Sequence, residues 1–173
     1  MNKVYILLGA NLGNPISQIA QAFALLEDRV GKIVKSSAIY VSEGWGVKDQ
    51  PLFYNQALII QTSLEKQTCL TICQEIELEL GRVRLMKWGA RLIDIDIIYF
   101  NNEIYESENL KIPHPLLQLR NFVLVPFCEI ASDYIHPVLL QTNKQLLSNS
   151  TDNLVVTKYG NYIPFKPQRD CER

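Results

Sequence analysis

The chain has 173 residues, a length that fits one domain with a hydrophobic core of its own. Its composition is that of a globular protein, with 47% hydrophobic and 20% charged residues, and its net charge of −1 argues against a broad nucleic-acid or acidic-membrane surface. No apolar run is long enough to cross a bilayer.

The cysteines provide no metal or disulfide framework. There are four of them, and no C-x-x-C pair or second Cys/His pair completes a zinc site. We expect free thiols at Cys69, Cys73, Cys128 and Cys171. Free thiols are typical of a reducing compartment, so the predicted location is the cytoplasm.

The first half of the chain alternates strand and helix signals. Residues 4–8 form a compact apolar strand pattern. Asn14 and Pro15 then predict the start of a helix that runs to about Val30 and ends at Gly31. Residues 33–41 alternate as a second strand, and residues 42–51 form a loop.

A second pair of strands flanks the next helix. Residues 55–62 predict a third strand, and Thr62 and Glu65 have the spacing of a capping box. An apolar stripe then indicates a helix that ends at Gly81. Residues 92–100 are a fourth strand, residues 101–102 a turn, and residues 122–131 a further helix.

The order β-α-β-β-α-β predicts an α+β fold of the ferredoxin-like kind. In that fold a mainly antiparallel sheet carries two helices on one face, and here a C-terminal extension follows. We expect residues 1–137 to form the core domain and residues 138–173 to pack on it as an extension of the same domain.

The fourth strand is largely hydrophobic, which predicts a central position in the sheet, and it carries two carboxylates. Side chains alternate along a strand, so Asp94 and Asp96 project to the same face, with Cα atoms about 6.6 Å apart. Their charges repel and need a positive partner. A salt bridge with nearby arginines would meet that need. A divalent cation would also meet it, and hard oxygen ligands without His or Cys favour magnesium.

A basic loop precedes this strand. Residues 82–91 contain Arg82, Arg84, Lys87 and Arg91, with Gly81 just before the loop and Gly89 near its end. Arginine forks match phosphate oxygens, so cations beside a metal-binding carboxylate pair favour a bound polyphosphate over a solvated basic loop. The chain lacks the G-x-x-x-x-G-K-[ST] motif of P-loop enzymes.

Two further positions suit a heterocycle and a nucleotide. Asn55 offers a donor and an acceptor beside the aromatic residues Phe53 and Tyr54, although simple strand packing would also explain it. His114 lies between two prolines, which stiffen the backbone around its imidazole. A structural histidine is the competing interpretation.

In order along the chain, these motifs resemble one family, 6-hydroxymethyl-7,8-dihydropterin pyrophosphokinase of the folate pathway. The resemblance covers about residues 3 to 135. It is carried by Gly9-x-Asn11-Leu12-Gly13, Asp49-Gln50-Pro51-x-x-x-Asn55, Gly81-Arg82-Val83-Arg84, Trp88-Gly89-x-Arg91-x-x-Asp94-x-Asp96-Ile97, Pro113-His114-Pro115, Arg120-x-Phe122-Val123-Leu124-x-Pro126 and Glu129-Ile130-Ala131.

The resemblance implies a reaction and its participants. ATP would give its β,γ-pyrophosphoryl group to the pterin hydroxymethyl oxygen, yielding AMP and a pterin diphosphate that passes to dihydropteroate synthase. Two Mg²⁺ ions would be held by Asp94 and Asp96, and Arg82 and Arg91 would clamp the phosphates.

The resemblance also implies two sets of ligand contacts. Glu77, on the same helix face as Gln74, would support the residues that contact the ligands. The residues implied for ATP are Gln74, Arg84, Trp88, Arg91, Ile97, His114 and Arg120. The residues implied for the pterin are Ser42, Gly44, Trp45, Phe53, Asn55 and Phe122.

Three positions depart from the family pattern, and two alternative functions compete. Gly44, Phe53 and Leu116 stand where relatives often have Pro, Tyr and Arg, which alters loop stiffness and two contacts. A nucleotidyltransferase would also use a D-x-D strand, but its Gly-Ser motif is absent. A non-catalytic binding module would be expected to lack a carboxylate or arginine that this chain retains.

Overall fold

The computed structural model describes residues 1–45, 50–81 and 92–160. The strands are β1 (Asn2–Ala10), β2 (Lys32–Ser36), β3 (Ile39–Ser42), β4 (Phe53–Thr62), β5 (Asp94–Phe100), β6 (Tyr105–Glu106), β7 (Lys111–Ile112) and β8 (Val156–Gly160). The helices are α1 (Pro15–Arg29), α2 (Lys66–Glu79), α3 (Asn121–Ala131) and α4 (Asn143–Ser148), and a 3₁₀ turn spans Leu117–Leu119.

One six-stranded antiparallel sheet organises the molecule. Its order is β5-β1-β4-β3-β8, and β2 pairs with β4 alongside β3. When β2 and β3 are taken as one interrupted strand, the four predicted strands lie in the order fourth, first, third, second. This confirms the predicted ferredoxin-like fold. Strands β6 and β7 form a separate hairpin.

The strand predicted at residues 33–41 is interrupted at Ser37, for a local reason. The Ser37 hydroxyl accepts a hydrogen bond from the Ala57 N–H (2.9 Å) and donates to the Ala38 carbonyl (2.7 Å). A side chain thus takes a place in the ladder that backbone would otherwise fill, and the strand divides into β2 and β3.

The two helix starts differ in how well the sequence predicts them. Asn14 Oδ1 accepts from the Ser17 N–H at 3.1 Å with Pro15 at the first helical position, which confirms the predicted cap of α1. The capping box predicted at Thr62 and Glu65 is wrong. Helix α2 begins at Lys66, and the Thr62 hydroxyl instead donates to the Val30 carbonyl at 2.6 Å.

Helices cover both faces of the sheet. Helices α1 and α2 bury one face, where the core includes Ile6, Leu8, Leu26, Leu58 and Ile76. Helices α3 and α4 bury the other face, where the core includes Leu7, Ala57, Ile98, Leu124 and Phe127. The prediction of two helices on one face therefore describes one half of a three-layer domain.

The thiols that the structure describes agree with the sequence interpretation. Cys69 and Cys73 are buried and Cys128 is partly buried, and all three are free. Cys171 lies outside the described residues. No helix in the described ranges has the length and apolar character needed to span a bilayer. The cytoplasmic location stays a prediction.

Candidate active site

The carboxylate pair lies at the start of β5. The prediction of a central strand is wrong, because β5 lies at the edge of the sheet among the described strands, and α2 and α3 cover its hydrophobic residues. In the register of the sheet, Asp94 is opposite Gly9 and Asp96 is opposite Leu7 on β1. Both side chains are partly exposed. They share the sheet face that α3 covers further along, where Leu7 joins the core. The two carboxylates therefore lie beside the core of that face.

The residue between the carboxylates is held from outside the sheet. The Ile95 N–H donates to Glu77 Oε1 of α2 at 2.7 Å, and the Glu77 side chain is buried. Since neighbouring amides on a strand point in opposite directions, the amides of Asp94 and Asp96 face β1. The Asp94-Ile95-Asp96 backbone is thus held by β1 on one side and by Glu77 on the other.

A first cavity of about 240 Å³ opens in front of the carboxylates. Gly9 pairs with Asp94 on one side and Asn55 on the other, so these three residues form a row across the sheet. The cavity is lined by Leu7, Gly9, Ser42, Glu43, Trp45, Phe53, Asn55, Asp94, Asp96, His114, Arg120 and Phe122. All predicted pterin residues except Gly44 are in this lining.

Two residues of the first cavity have buried polar atoms that are not hydrogen-bonded within the described ranges. Ser42 Oγ and Asn55 Nδ2 are buried, and neither has a hydrogen-bond partner within the described ranges. A buried polar atom without a partner costs about 1–3 kcal/mol, so both atoms favour a bound molecule that offers hydrogen-bonding groups. The amide of Asn55 can both donate and accept, as a heterocycle edge requires.

An aromatic frame surrounds these polar atoms. Phe53 on β4 and Phe122 at the start of α3 line the same cavity. The Arg120 guanidinium lies 4.7 Å from the Trp45 ring centroid and 5.8 Å from that of Phe122. Flat apolar walls around polar edge groups suit a planar ring that stacks and hydrogen-bonds. Arg120, which was assigned to the ATP side, lines this cavity.

A second cavity of about 300 Å³ lies on the other side of the carboxylates. It is lined by Leu70, Gln74, Glu77, Asp94, Ile95, Asp96, Ile97, Glu108, Asn109, Leu110, Lys111, His114 and Pro115. Three residues, Asp94, Asp96 and His114, belong to both cavities. A group carried by a molecule in one cavity can therefore meet a molecule in the other beside the carboxylates.

His114 lines both cavities. Burial is the main reason that the pKa of His114 lies below its ordinary value, and the nearby Arg120 charge lowers it further. Nδ1 is buried without a partner in the part of the chain that the structure describes. The His114 main-chain N–H donates to the Ile98 carbonyl at 2.9 Å and ties this segment to β5.

Sequence reasoning missed part of both linings. Gly9 and Glu43 line the first cavity, and residues 108–111 of the β6–β7 turn line the second. In the sequence Gly9 is only the first residue of the Gly9-x-Asn11-Leu12-Gly13 motif, and strand pairing alone places it beside Asn55. Four predicted residues, Arg82, Arg84, Trp88 and Arg91, lie outside the described residues.

The donor set fits magnesium. Asp94 and Asp96 supply hard oxygen ligands that face both cavities. No cluster of three or more His, Cys, Asp or Glu able to hold a metal occurs in residues 1–45, 50–81 and 92–160. Magnesium typically uses one or two carboxylates together with substrate phosphates, and Asp94 and Asp96 could supply the carboxylates.

The chain is similar to known proteins of one family. The family model for 7,8-dihydro-6-hydroxymethylpterin-pyrophosphokinase matches residues 5–132. The chain is 39% identical over 151 residues to 2-amino-4-hydroxy-6-hydroxymethyldihydropteridine pyrophosphokinase of Aquifex aeolicus, covering 87% of this chain and 94% of that protein.

Other relatives are much longer. The folic acid synthesis protein fol1 of Pneumocystis carinii is 45% identical over 135 residues, which are 78% of this chain but 18% of that protein. A solved structure of HPPK-DHPS in complex with substrates aligns with a TM-score of 0.72 at 15% identity, covering 85% of this chain and 43% of that one. That similarity concerns the fold. By the family match and the Aquifex relative, this chain belongs to the 7,8-dihydro-6-hydroxymethylpterin-pyrophosphokinase family.

Proposed function

We propose that this chain transfers the β,γ-pyrophosphoryl group of ATP to the hydroxymethyl oxygen of 6-hydroxymethyl-7,8-dihydropterin in folate biosynthesis. A bond forms between that oxygen and the β-phosphorus, and the bond from the β-phosphorus to the α–β bridging oxygen breaks. The hydroxyl proton is lost, and the products are AMP and the pterin diphosphate. Family membership supports this reaction.

The single observation that carries the proposal is the meeting of two cavities at one carboxylate pair. The first cavity, with Asn55 and its aromatic walls, suits the pterin. The second cavity, with Gln74 and Ile97, suits the nucleotide. Transfer between two bound substrates depends mainly on positioning and charge stabilisation. Asp94 and Asp96 lie where the reacting groups would meet.

Magnesium is the cation that we propose for this pair, with two ions expected. Bound there, the metal would neutralise phosphate charge and lower the pKa of the acceptor hydroxyl. Asp94 and Asp96 would hold it, and Glu77 would keep their backbone in place through Ile95. His114 stays neutral beside them and offers a hydrogen bond without adding charge.

The remaining assignments stay proposals as well. Arg82, Arg84, Trp88 and Arg91 are proposed to close over the phosphates. Asn55, Ser42 and the stacking rings would hold the pterin, and Gln74, Ile97 and His114 the nucleotide. Arg120, which lines the first cavity together with His114, is also proposed as an ATP contact.

We further propose the predicted domain division, with residues 1–137 as the pyrophosphokinase core and residues 138–173 as an extension of the same domain. The hydrogen bond from Tyr99 to Asn143 and the pairing of β8 with β3 support it. Transfer of the product to dihydropteroate synthase is a separate proposal. It is supported by solved HPPK-DHPS structures that share this fold.

Product analysis tests the reaction. The protein is incubated with ATP, Mg²⁺ and 6-hydroxymethyl-7,8-dihydropterin, and nucleotides and pterins are separated by chromatography. We expect AMP and pterin diphosphate in equal amounts, with neither formed when the pterin is omitted. ADP would indicate single phosphoryl transfer, and inorganic pyrophosphate with an adenylylated acceptor would indicate a nucleotidyltransferase. Either result would refute the proposal.

A further inference from the structure

Helix α3 begins beside the first cavity, and the side chain of the residue before it does not cap the helix. Its N-cap residue is Arg120, whose side chain makes no capping hydrogen bond. Arg120 and Phe122, on either side of Asn121, both line the first cavity. The first amides of a helix need acceptors, and their position fixes the direction in which the flanking side chains leave the helix. Whatever holds Asn121 therefore also orients two cavity walls.

The missing cap comes from a residue far along the chain. Asp152 Oδ2 accepts from the Asn121 N–H at 2.8 Å. In return, Asn121 Nδ2 donates to the carbonyls of Asp152 (2.8 Å) and Leu154 (3.4 Å). The Asp152 carboxylate is an acceptor of the kind that helix N-termini prefer, and its charge complements the helix dipole. The contact joins two segments 31 residues apart.

The same C-terminal stretch then reaches the opposite wall of the cavity. Val156 of β8 pairs with Ser42, which lines the first cavity and whose buried hydroxyl has no hydrogen-bond partner among the described residues. Two residues on, Lys158 Nζ lies 3.0 Å from Glu129 Oε1 of α3, and Glu129 Oε2 accepts from the Tyr40 hydroxyl at 2.9 Å. Residues 152–160 thus contact both α3 and β3 and link these two elements.

We propose that Asp152 is a positioning residue for the acceptor substrate, acting through the α3 N-terminus on Arg120 and Phe122. The matched family region ends at residue 132, so this role lies in a part of the chain to which the family match assigns nothing. The inference rests on the proposed function, because it takes the first cavity as the pterin site. It adds the residues that set the width of that cavity.

The test compares Asp152→Ala and Asp152→Asn with a matched control, Thr142→Val. Thr142 caps α4 by accepting from the Gln145 N–H at 3.2 Å, so its loss removes a helix cap that belongs to neither cavity. KM is measured for the pterin and for ATP, together with pterin binding without turnover, thermal unfolding, and hydrogen exchange of the Asn121 amide.

For Asp152→Ala we expect pterin KM to rise about fivefold, ATP KM to change less than about twofold, and the Asn121 amide to exchange faster, in line with the loss of one cap. Asp152→Asn retains an acceptor and should restore most of the pterin affinity. Thr142→Val should lower thermal stability and leave both KM values unchanged.

An unchanged pterin KM in folded Asp152→Ala would overturn the inference, as would an equal rise in Thr142→Val. If Asp152→Ala does not fold, Asn121→Pro decides, because it removes the N–H that Asp152 Oδ2 accepts, at a first helical position where proline is tolerated. An unchanged pterin KM there would also overturn it. Failure of the wild-type protein to form AMP would instead refute the proposed function, while pterin binding and amide exchange would still report on Asp152.

Discussion

Replacing Gly9 with alanine tests whether the first cavity, which Gly9 lines, binds the pterin. A Cβ placed on Gly9 would lie 3.1 Å from Asn55 Oδ1, closer than an ordinary van der Waals contact. Gly9 does not adopt a left-handed backbone conformation, since the glycines with positive φ are Gly13, Gly31 and Gly81 in the described part of the chain. The substitution therefore acts on the Asn55 side chain and leaves the β1 backbone unstrained.

The size of the effect follows from the hydrogen bonds of the Asn55 amide. To accept the new methyl group, the amide must move by a few tenths of an ångström or rotate, and its contact with the pterin edge is lost or weakened. Leaving a buried amide unsatisfied costs about 1–3 kcal/mol, which corresponds to a rise in pterin KM of about 5- to 150-fold. Stability should hold or increase, because alanine restricts the unfolded chain more than glycine does.

The assay is a double-mutant cycle of Gly9→Ala with Asn55→Ala, measuring KM for both substrates and the thermal midpoint. In the Asn55→Ala background, Gly9→Ala should add little, because the side chain with which it clashes is gone. ATP KM should stay near the wild-type value, because Gly9 lines only the first of the two cavities. An unchanged pterin KM, or the same rise in both backgrounds, would refute the link through Asn55.

Three further outcomes are expected. Asp96→Asn should lower turnover by more than about 100-fold with no loss of thermal stability, because groups that only orient metal ligands already contribute about 10- to 100-fold. Wild-type rates in the folded variant would remove the metal assignment. Glu77→Gln, which keeps an acceptor for the Ile95 amide, should retain far more turnover than Glu77→Leu, and equal rates would exclude the positioning role of that hydrogen bond. The urea midpoint should fall as pH drops below 6.5, and His136→Asn should reduce that fall. Burial lowers the pKa of His136 and of His114 from 6.5, so the unfolded chain binds protons more readily than the folded chain in that range. Protonation of His136 Nδ1 would also break its bonds from the amides of Val138 (3.2 Å) and Leu139 (3.1 Å), and a midpoint independent of pH would contradict this.

Local patterns predicted the elements that bear the chemistry. The alternation of residues 92–100 is a property of the strand itself, so the position of Asp94 and Asp96 on one strand could be predicted without knowing its neighbours. The cap at Asn14 is equally local, because its partner lies three residues on. The order of strands followed from the alternation of strands and helices, given the rules of connection for split βαβ units.

Long-range contacts account for what could not be predicted. The Thr62 hydroxyl donates to the Val30 carbonyl, 32 residues away, so Thr62 does not cap α2 although Thr62 and Glu65 have the spacing of a capping box. The Asp152 cap of α3 depends on where the C-terminal stretch packs, because its partner Asn121 is 31 residues away and local sequence does not specify it. Gly9 gains its role only when β1 lies between β4 and β5. In each case the partner is chosen by tertiary packing.

The position of the carboxylates on an edge strand has a consequence for association between molecules. An unpaired row of amides at a sheet edge is a template on which a strand of another chain can add. On β5, Glu77 occupies the Ile95 N–H and places a buried carboxylate at that edge. The contact that holds the Asp94-Ile95-Asp96 backbone also takes up one amide of that edge and places a charge beside it, so loss of Glu77 should favour aggregation at high protein concentration.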